Sequence, residues 1–235
     1  MSSDDPAADL WRRVDAVPGW LTRDQAAVLA THAAAVPAGG TVVEIGSHQG
    51  RSTVVLGASA PPRARVLAID PFPPDWRYGA PGTEELLRGH LRDAGLTDVV
   101  EVRRATSTEV LAAWHDRIDL VYVDGKHDVF STVRDLGWGR HLPPGGRLLV
   151  HDGFSSVGVT LALFVRVLVR RDLRYVDRTG SLVVLERSRP SRVDRARLLA
   201  QLPWWARNLV VKVVLRLRLG RVARWLGHHG TADPY

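Results

Sequence analysis

Polar and acidic side chains gather at five points of this 235-residue chain where apolar runs end: Glu44, Asp70, the pair Thr106–Ser107, Asp124, and the pair His151–Asp152. Four of the runs are T-V-V-E-I-G, R-V-L-A-I-D, I-D-L-V-Y-V-D and R-L-L-V-H-D, rich in β-branched and aliphatic residues. Buried parallel strands read this way, and open α/β sheets bind ligands at the carboxyl edge of such strands. One acid at a strand end carries little weight, but all of them together are hard to explain as solubility decoration. In the first stretch, Thr41–Thr53, Gly46 and Gly50 frame a tight turn and would let a ligand approach where a Cβ would obstruct it. Glu44 can accept hydrogen bonds from an ammonium or hydroxyl group. Asp70 follows Gly46 by 24 residues, near the spacing at which an acid meets ribose hydroxyls. The turn is G-x-x-x-G, with His48 where a glycine would stand. It departs from the dinucleotide pattern G-x-G-x-x-G and disfavours an NAD-linked oxidoreductase. On this stretch alone, an ordinary strand–turn–helix corner stays open.

The elements that must position these residues follow from periodicity and breakers. Pro6 to Val17 reads as a short amphipathic helix ended by Pro18-Gly19, and Thr22-x-x-Gln25 is a capping box opening a helix that runs to about Val36. After the first strand and its helix come strands at Arg65–Asp70, Val99–Ala105, Ile118–Asp124 and Arg147–Asp152. Helices are expected over Thr83–Gly95, Val129–His141 and Val157–Arg170, and a hairpin over Leu173–Glu186 turns at D-R-T-G. Strand–helix alternation with a terminal hairpin predicts an α/β three-layer sandwich, mostly parallel. Between the second strand and the next helix, P-F-P-P-D-W-R-Y-G-A-P-G is a loop carrying Phe72, Trp76 and Tyr78. It reads either as an active-site wall or as a loop packing its own aromatics.

Composition narrows the class. With 45% hydrophobic and 24% charged residues, the chain has the balance of a globular protein rather than a disordered one. It lacks cysteine, which excludes disulfides and thiolate metal sites. The polar, acidic stretch Met1–Asp9 does not resemble a secretory signal, so a cytoplasmic location is expected. Residues 1–185 carry 21 basic and 22 acidic side chains, whereas residues 186–235 carry 11 and 3. The formal charge of +7 therefore belongs to the tail and speaks only of the tail's partner.

Several motifs resemble the class I S-adenosylmethionine (SAM)-dependent methyltransferases. The turn resembles their E-x-G-x-G-x-G first motif with the middle glycine replaced. V-E-I-G-S-x-x-G-R-S-T, A-I-D, A-T-S-T-E, V-D-G-K-H, P-P-G-G-R-L-L-V-H-D and G-S-L-V-V-L resemble the family that includes macrolide-sugar O-methyltransferases and cephalosporin-hydroxylase-like proteins. The resemblance covers roughly Pro18 to Glu186 and implies a Rossmann-like αβα methyltransferase sandwich with a C-terminal antiparallel hairpin. It implies that Glu44, Gly46, Ser47 and Gly50, with Ser52 and Thr53, cradle the methionine part of SAM. Asp70 would meet the ribose, Thr106 and Ser107 would lie by the adenine, and Asp124 would also border the cofactor. His127 would be the general base, and Asp124 and Asp152 would hold a divalent cation such as Mg²⁺. The relatives carry Glu-Asp where this chain has His151-Asp152. Imidazole suits transition metals better than Mg²⁺, so His151 is a metal ligand, a second base or a polar contact. For His127 the plain alternative is a surface residue capping the next helix, and for Asp152 a turn former before Gly153.

The division expected is a helical cap over residues 1–40, a catalytic domain over 41–187, and a basic Trp/Leu/Arg-rich extension over 188–235. In the extension, W-W-A-R-N-L-V-V-K-V-V-L-R-L-R-L has apolar runs too short to span a membrane. It fits either an interfacial membrane segment, which would make the protein peripheral at the inner membrane face, or a helix packing on its own domain or a second subunit. The resulting expectation is an O-methyltransferase acting on a hydroxyl of a small molecule, a sugar or glycoside. The rivals are a nucleic-acid methyltransferase and a non-catalytic SAM-binding assembly protein. The first lacks a basic body and an N-P-P-Y or D-P-P-Y motif after the fourth strand.

Overall fold

The computed structural model describes residues 6–74 and 81–225. Trp76 and Tyr78 of the aromatic loop lie outside the described residues. A seven-stranded sheet forms the middle layer: β1 (Thr41–Ile45), β2 (Arg65–Asp70), β3 (Val100–Arg104), β4 (Leu120–Val123), β5 (Arg147–Val150), β6 (Arg174–Thr179) and β7 (Leu182–Glu186). Their order is β3-β2-β1-β4-β5-β7-β6. The first five run parallel, and β7 pairs antiparallel with both β5 and β6. The chain steps outward from β1 to β3 and then returns to place β4 on the other side of β1. That reversal opens a crevice above the β1 and β4 carboxyl ends, where ligands of such sheets bind.

Alternation along each strand divides the core in two. Val42, Val66, Leu120 and Leu149 face α1 (Pro6–Asp15), α2 (Arg23–Ala34), α3 (Arg51–Ser59) and α4 (Thr83–Asp93). Val43, Leu67, Val121 and Leu148 face the opposite layer, which contains Val110 of α5 (Ser107–Ala112), α6 (Val129–Asp135) with the fully buried Trp138 after it, and α7 (Val157–Phe164). The three-layer, mostly parallel sandwich with its antiparallel hairpin is therefore present.

The expected capping box is present at α2, where the Gln25 amide donates to Thr22 Oγ1 at 3.3 Å and the Thr22 amide donates to Gln25 Oε1 at 2.9 Å. Two helices depart from expectation. Val129–His141 is α-helical only to Asp135 and tightens into a 3₁₀ turn over Leu136–His141. Gly137 and Gly139 weaken the helix there, and a Cβ on Gly139 would sit 3.2 Å from Leu173. Val157–Arg170 is α-helical to Phe164 and then widens into a π turn, closed by Arg171 in the left-handed region at φ +58°. The basic extension holds three helices, α8 (Arg192–Leu199), α9 (Leu202–Arg216) and α10 (Gly220–Trp225).

Both α8, through fully buried Leu198, and α9 pack onto the body. Val211 and Val214 are buried, and buried Asn208 donates from Nδ2 to the Phe154 carbonyl at 3.0 Å. Trp205 meets Phe164 edge-on at 5.9 Å, and the Arg178 guanidinium lies 3.8 Å from the Trp204 ring centroid. No helix among the described residues is long and apolar enough to cross a membrane.

Candidate active site

The carboxyl edge opens into a cavity of about 870 Å³. Its floor carries Gly46, Ser47 and Asp70 from the ends of β1 and β2, and Asp124, His151 and Asp152 from the ends of β4 and β5. Pro18–Leu21, between α1 and α2, cover one side, and the face of α9 bearing Leu209, Lys212, Val213 and Arg216 lines another. The two N-terminal helices themselves contribute no lining residue; only the segment that joins them does. Arg51, the first residue of α3, ties them down by donating to the carbonyls of Leu21, Val14 and Val17 at 3.0, 3.0 and 2.7 Å.

The turn after β1 is built by its neighbours. Gly46 has φ +87°, and a Cβ there would stand 2.8 Å from Gly125 Cα and even closer to the Asp124 carbonyl. Glycine is thus demanded by the close passage of β1 and β4, independently of any ligand. His48 adopts φ +46°, so the backbone keeps a left-handed turn where the motif's middle glycine is missing. Its ring lies 5.4 Å from that of Trp20. Asp70 Oδ2 accepts the amides of Ser47 and His48 at 3.0 and 2.9 Å, and Oδ1 accepts the Phe72 amide at 2.7 Å. With one bond, Oδ1 keeps capacity for a ligand hydroxyl.

Some candidates stand apart from the cavity. Glu44 is fully buried, with Oε1 and Oε2 accepting from Ser52 Oγ at 2.5 Å and Thr53 Oγ1 at 2.6 Å. Burial pushes its carboxyl up to about 7 against those two bonds. Its contacts pin β1 to the first turn of α3, and Glu44, Gly50 and Thr53 are not among the cavity-lining residues, whereas Ser52 is. Thr106 and Ser107 do line it. Thr106 caps α5 reciprocally with Glu109, and Ser107 Oγ donates to buried Asp135, whose carboxyl burial pushes up to about 6.

The densest group of charges lies at the β4 and β5 ends. His127 places Nε2 3.5 Å from Asp124 Oδ1 and Nδ1 3.3 Å from Asp152 Oδ2. His151 places Nδ1 3.4 Å from Asp124 Oδ1 and 3.6 Å from Asp152 Oδ1. Burial alone would raise the Asp124 carboxyl, but His151 and His127 hold it well below the usual range. Burial opposes charge on both histidines, yet the carboxylates raise His127 and raise His151 strongly. Two imidazoles and two carboxylates therefore compensate one another. Asp152 sits at φ +59°, a conformation Asp tolerates better than most residues.

The same group suits a divalent cation. Ligand atoms of Asp124, His151 and Asp152 lie within 4.8 Å of one another. Asp152 Oδ1 is buried and makes no hydrogen bond among the described residues. His151 Nε2 faces Gln25 Oε1 at 3.3 Å, which leaves Nδ1 toward the carboxylates. A mixed oxygen and nitrogen donor set favours a transition metal over Mg²⁺.

Sequence reasoning missed four contributors. Gln25, expected only as a cap, also meets His151 and donates from Nε2 to Ser181 Oγ at 3.0 Å. Gly158 of α7 leaves no room for a Cβ against the His127 carbonyl and so sets how closely α7 approaches that turn. Trp20 and the α9 face complete the walls. Only Gly158 and the capping box carried a local signal.

Residues 43–153 match the family profile described as a methyltransferase domain. The fold is also that of solved structures. A cofactor-bound Rv0187 from MTB is 25% identical, with a TM-score of 0.60 over 81% of this chain and 93% of that one. An O-methyltransferase from Bacillus cereus in complex with SAH is 16% identical, with a TM-score of 0.58 over 80% and 93%. TomG from Streptomyces achromogenes, an O-methyltransferase involved in tomaymycin synthesis and solved with SAM, is 19% identical, with a TM-score of 0.57 over 79% and 90%.

Proposed function

We propose that this chain, a class I methyltransferase, moves a methyl group from SAM to a hydroxyl of a small molecule, a sugar or glycoside. The observation that carries this reading is one cavity joining the Gly46–Asp70 turn to the His127–Asp124–Asp152 group. A cofactor cradled at the first can present its methyl to an acceptor held at the second. Transfer from a sulfonium is an in-line displacement, so positioning supplies most of the effect. The acceptor oxygen attacks the methyl carbon, the carbon–sulfur bond breaks, and S-adenosylhomocysteine leaves. His127 takes the hydroxyl proton, and the carboxylates on either side stabilise the imidazolium that results. Asp70 Oδ1 would accept from the ribose. Glu44 would act one step back by holding the turn.

Asp124, Asp152 and His151 Nδ1 would hold a divalent cation, which when bound would polarise the acceptor hydroxyl. The domain division at residues 40 and 187 goes with this reading, the cap and α9 serving as cavity walls. That use of the basic tail weighs against a nucleic-acid acceptor. A cytoplasmic protein touching a membrane surface or a second copy through exposed apolar residues of α9 and α10, such as Val210 and Trp225, is the companion proposal. Vesicle sedimentation and the particle mass in solution read it out. The central test is calorimetry with S-adenosylhomocysteine, followed by methyl transfer to a glycoside panel followed by mass spectrometry. Cofactor binding with no transfer to any hydroxyl would leave a binding protein. No cofactor binding would remove the reading.

A further inference from the structure

Asp135, the last residue of α6, lines the cavity, and the transfer step does not use it. The residue is 4% exposed. Among the described residues its carboxylate accepts one hydrogen bond, from Ser107 Oγ to Oδ1. The second oxygen, Oδ2, lies 3.2 Å from where a Cβ on Gly125 would stand. Gly125 is itself a cavity residue, so glycine in the turn after β4 leaves Oδ2 uncovered. Burial pushes the carboxyl up to about 6, and at pH 8 it is an anion. A buried carboxylate with one oxygen unbonded is unfavourable, and a ligand that brings a donor offsets this.

The direction in which SAM must lie across the sheet edge brings its base to this carboxylate. The ribose joins two parts, with the sulfonium on its 5′ carbon and the adenine on its 1′ carbon. For the methyl to reach an acceptor at His127, the sulfonium has to face the β4 and β5 ends. With the ribose at Asp70 on β2, the adenine then leaves toward β3, one strand spacing of about 4.8 Å away. The Ala105 amide donates to the Asp70 carbonyl at 3.2 Å, so the segment that continues into Thr106 and Ser107 runs directly beside the ribose position. Phe72, two residues past Asp70, adds an aromatic cavity wall there. The other cavity acids have partners: Asp70 holds three amides, and Asp124 and Asp152 face the histidines. Glu109, the acid nearest after β3, is turned back onto the Thr106 cap. Asp135 is left to meet the base. A carboxylate only accepts, and adenine carries a donor at ring position 6 where hypoxanthine carries a carbonyl oxygen.

We propose that Asp135 selects the nucleobase: with Oδ1 held by Ser107, Oδ2 accepts from the exocyclic amine of adenine. The assignment rests on the SAM reading of the cavity and names a specificity residue for it that stands on α6, away from every strand end.

The test titrates the full chain by calorimetry at pH 8 with S-adenosylhomocysteine, with its analogue lacking the 6-amino group, and with S-inosylhomocysteine. Wild type should hold S-adenosylhomocysteine at least about tenfold more tightly than either analogue. In Asp135→Asn the Ser107 hydroxyl keeps the amide oxygen, so Nδ2 takes the place of Oδ2 and donates where the carboxylate accepted. That variant should lose affinity for S-adenosylhomocysteine and gain it for S-inosylhomocysteine, levelling or inverting their ratio. Asp135→Ser, which is too short to reach the base, should bring S-adenosylhomocysteine down to the affinity of the analogue without the amine, and it serves if the asparagine variant does not fold. A residue that only braced α5 against α6 would weaken all three ligands alike and leave their ratios as they were. Equal binding of the three by wild type, or wild-type ratios retained in a folded variant, overturns the proposal and leaves the methyl-transfer reading standing. Failure of all three to bind wild type removes both.

Discussion

Replacing Gln25 by leucine tests how the N-terminal cap is joined to the charged group. The side chain is buried and bridges two others across the chain, donating to Ser181 Oγ at 3.0 Å and accepting from His151 Nε2 at 3.3 Å. Leucine fills nearly the same volume, so no large cavity forms, but both partners lose their bond inside the protein, and the Thr22 amide loses its capping bond to Gln25 Oε1. A neutral hydrogen bond contributes about 1 kcal/mol and one to a charged group about 1.5–3 kcal/mol. The second is long here, which places it at the low end. With the lost capping bond adding about 0.5–1 kcal/mol, the expected loss is about 3–4 kcal/mol, or about 6–16 °C in melting temperature for a chain of this size. Urea unfolding at pH 7 measures it. Gln25→Glu keeps the acceptor for His151 and loses only the donor to Ser181, so it should fall between wild type and Gln25→Leu. A Gln25→Leu protein within about 0.5 kcal/mol of wild type would show that His151 and Ser181 find water instead and would refute the bridge.

Other outcomes follow from the same geometry. His127→Ala should lower kcat by about 10²–10⁴ with cofactor affinity intact; an undiminished kcat would remove it as the base. Chelation and Asp152→Asn should depress transfer together if a cation orients the acceptor, and full activity in chelator alongside loss in His127→Ala means a base acting without a metal. Asp70→Ala should weaken cofactor binding through two routes, a lost ribose acceptor and release of the Ser47 and His48 amides, so Asp70→Asn should recover only part of it. For Glu44, burial raises the folded carboxyl from 4.5 to about 7. Its contribution to stability is then fully present below pH 4.5 and is lost as pH rises through 7, by about 3 kcal/mol. Glu44→Gln should flatten that decline in urea unfolding measured between pH 5 and pH 8, and parallel curves would show that Glu44 ionises normally.

What the chain discloses locally was readable. The strand ends carrying Asp70, Asp124 and His151–Asp152 stand out because an acid after β-branched residues is a short-range signal. Thr22 with Gln25 stands out because a capping box spans only four positions. The contact between Gln25 and His151 joins residues 126 apart, and nothing near either one marks the other. Periodicity found an apolar α9 but not its partner, since the same valines serve a membrane surface, a second copy or its own body. Docking through Asn208 and Phe154 shows that Val211 and Val214 meet the body. Gly46 was legible as a turn glycine. Its cause, the passage of Asp124 beneath it, depends on β4 lying next to β1, and that is a matter of sheet order.

The docking of α9 has a consequence for how this chain can change over generations. The sheet and its carboxyl edge are finished at Glu186, before the helix that walls the far side of the cavity begins. If the cavity holds the acceptor as proposed, its preference can drift by substitutions in residues 202–216 that leave every strand end untouched. The anchors Asn208, Val211 and Val214 occupy one face of α9 and the cavity-lining residues another, so the helix can keep its seat while its message to the acceptor is rewritten.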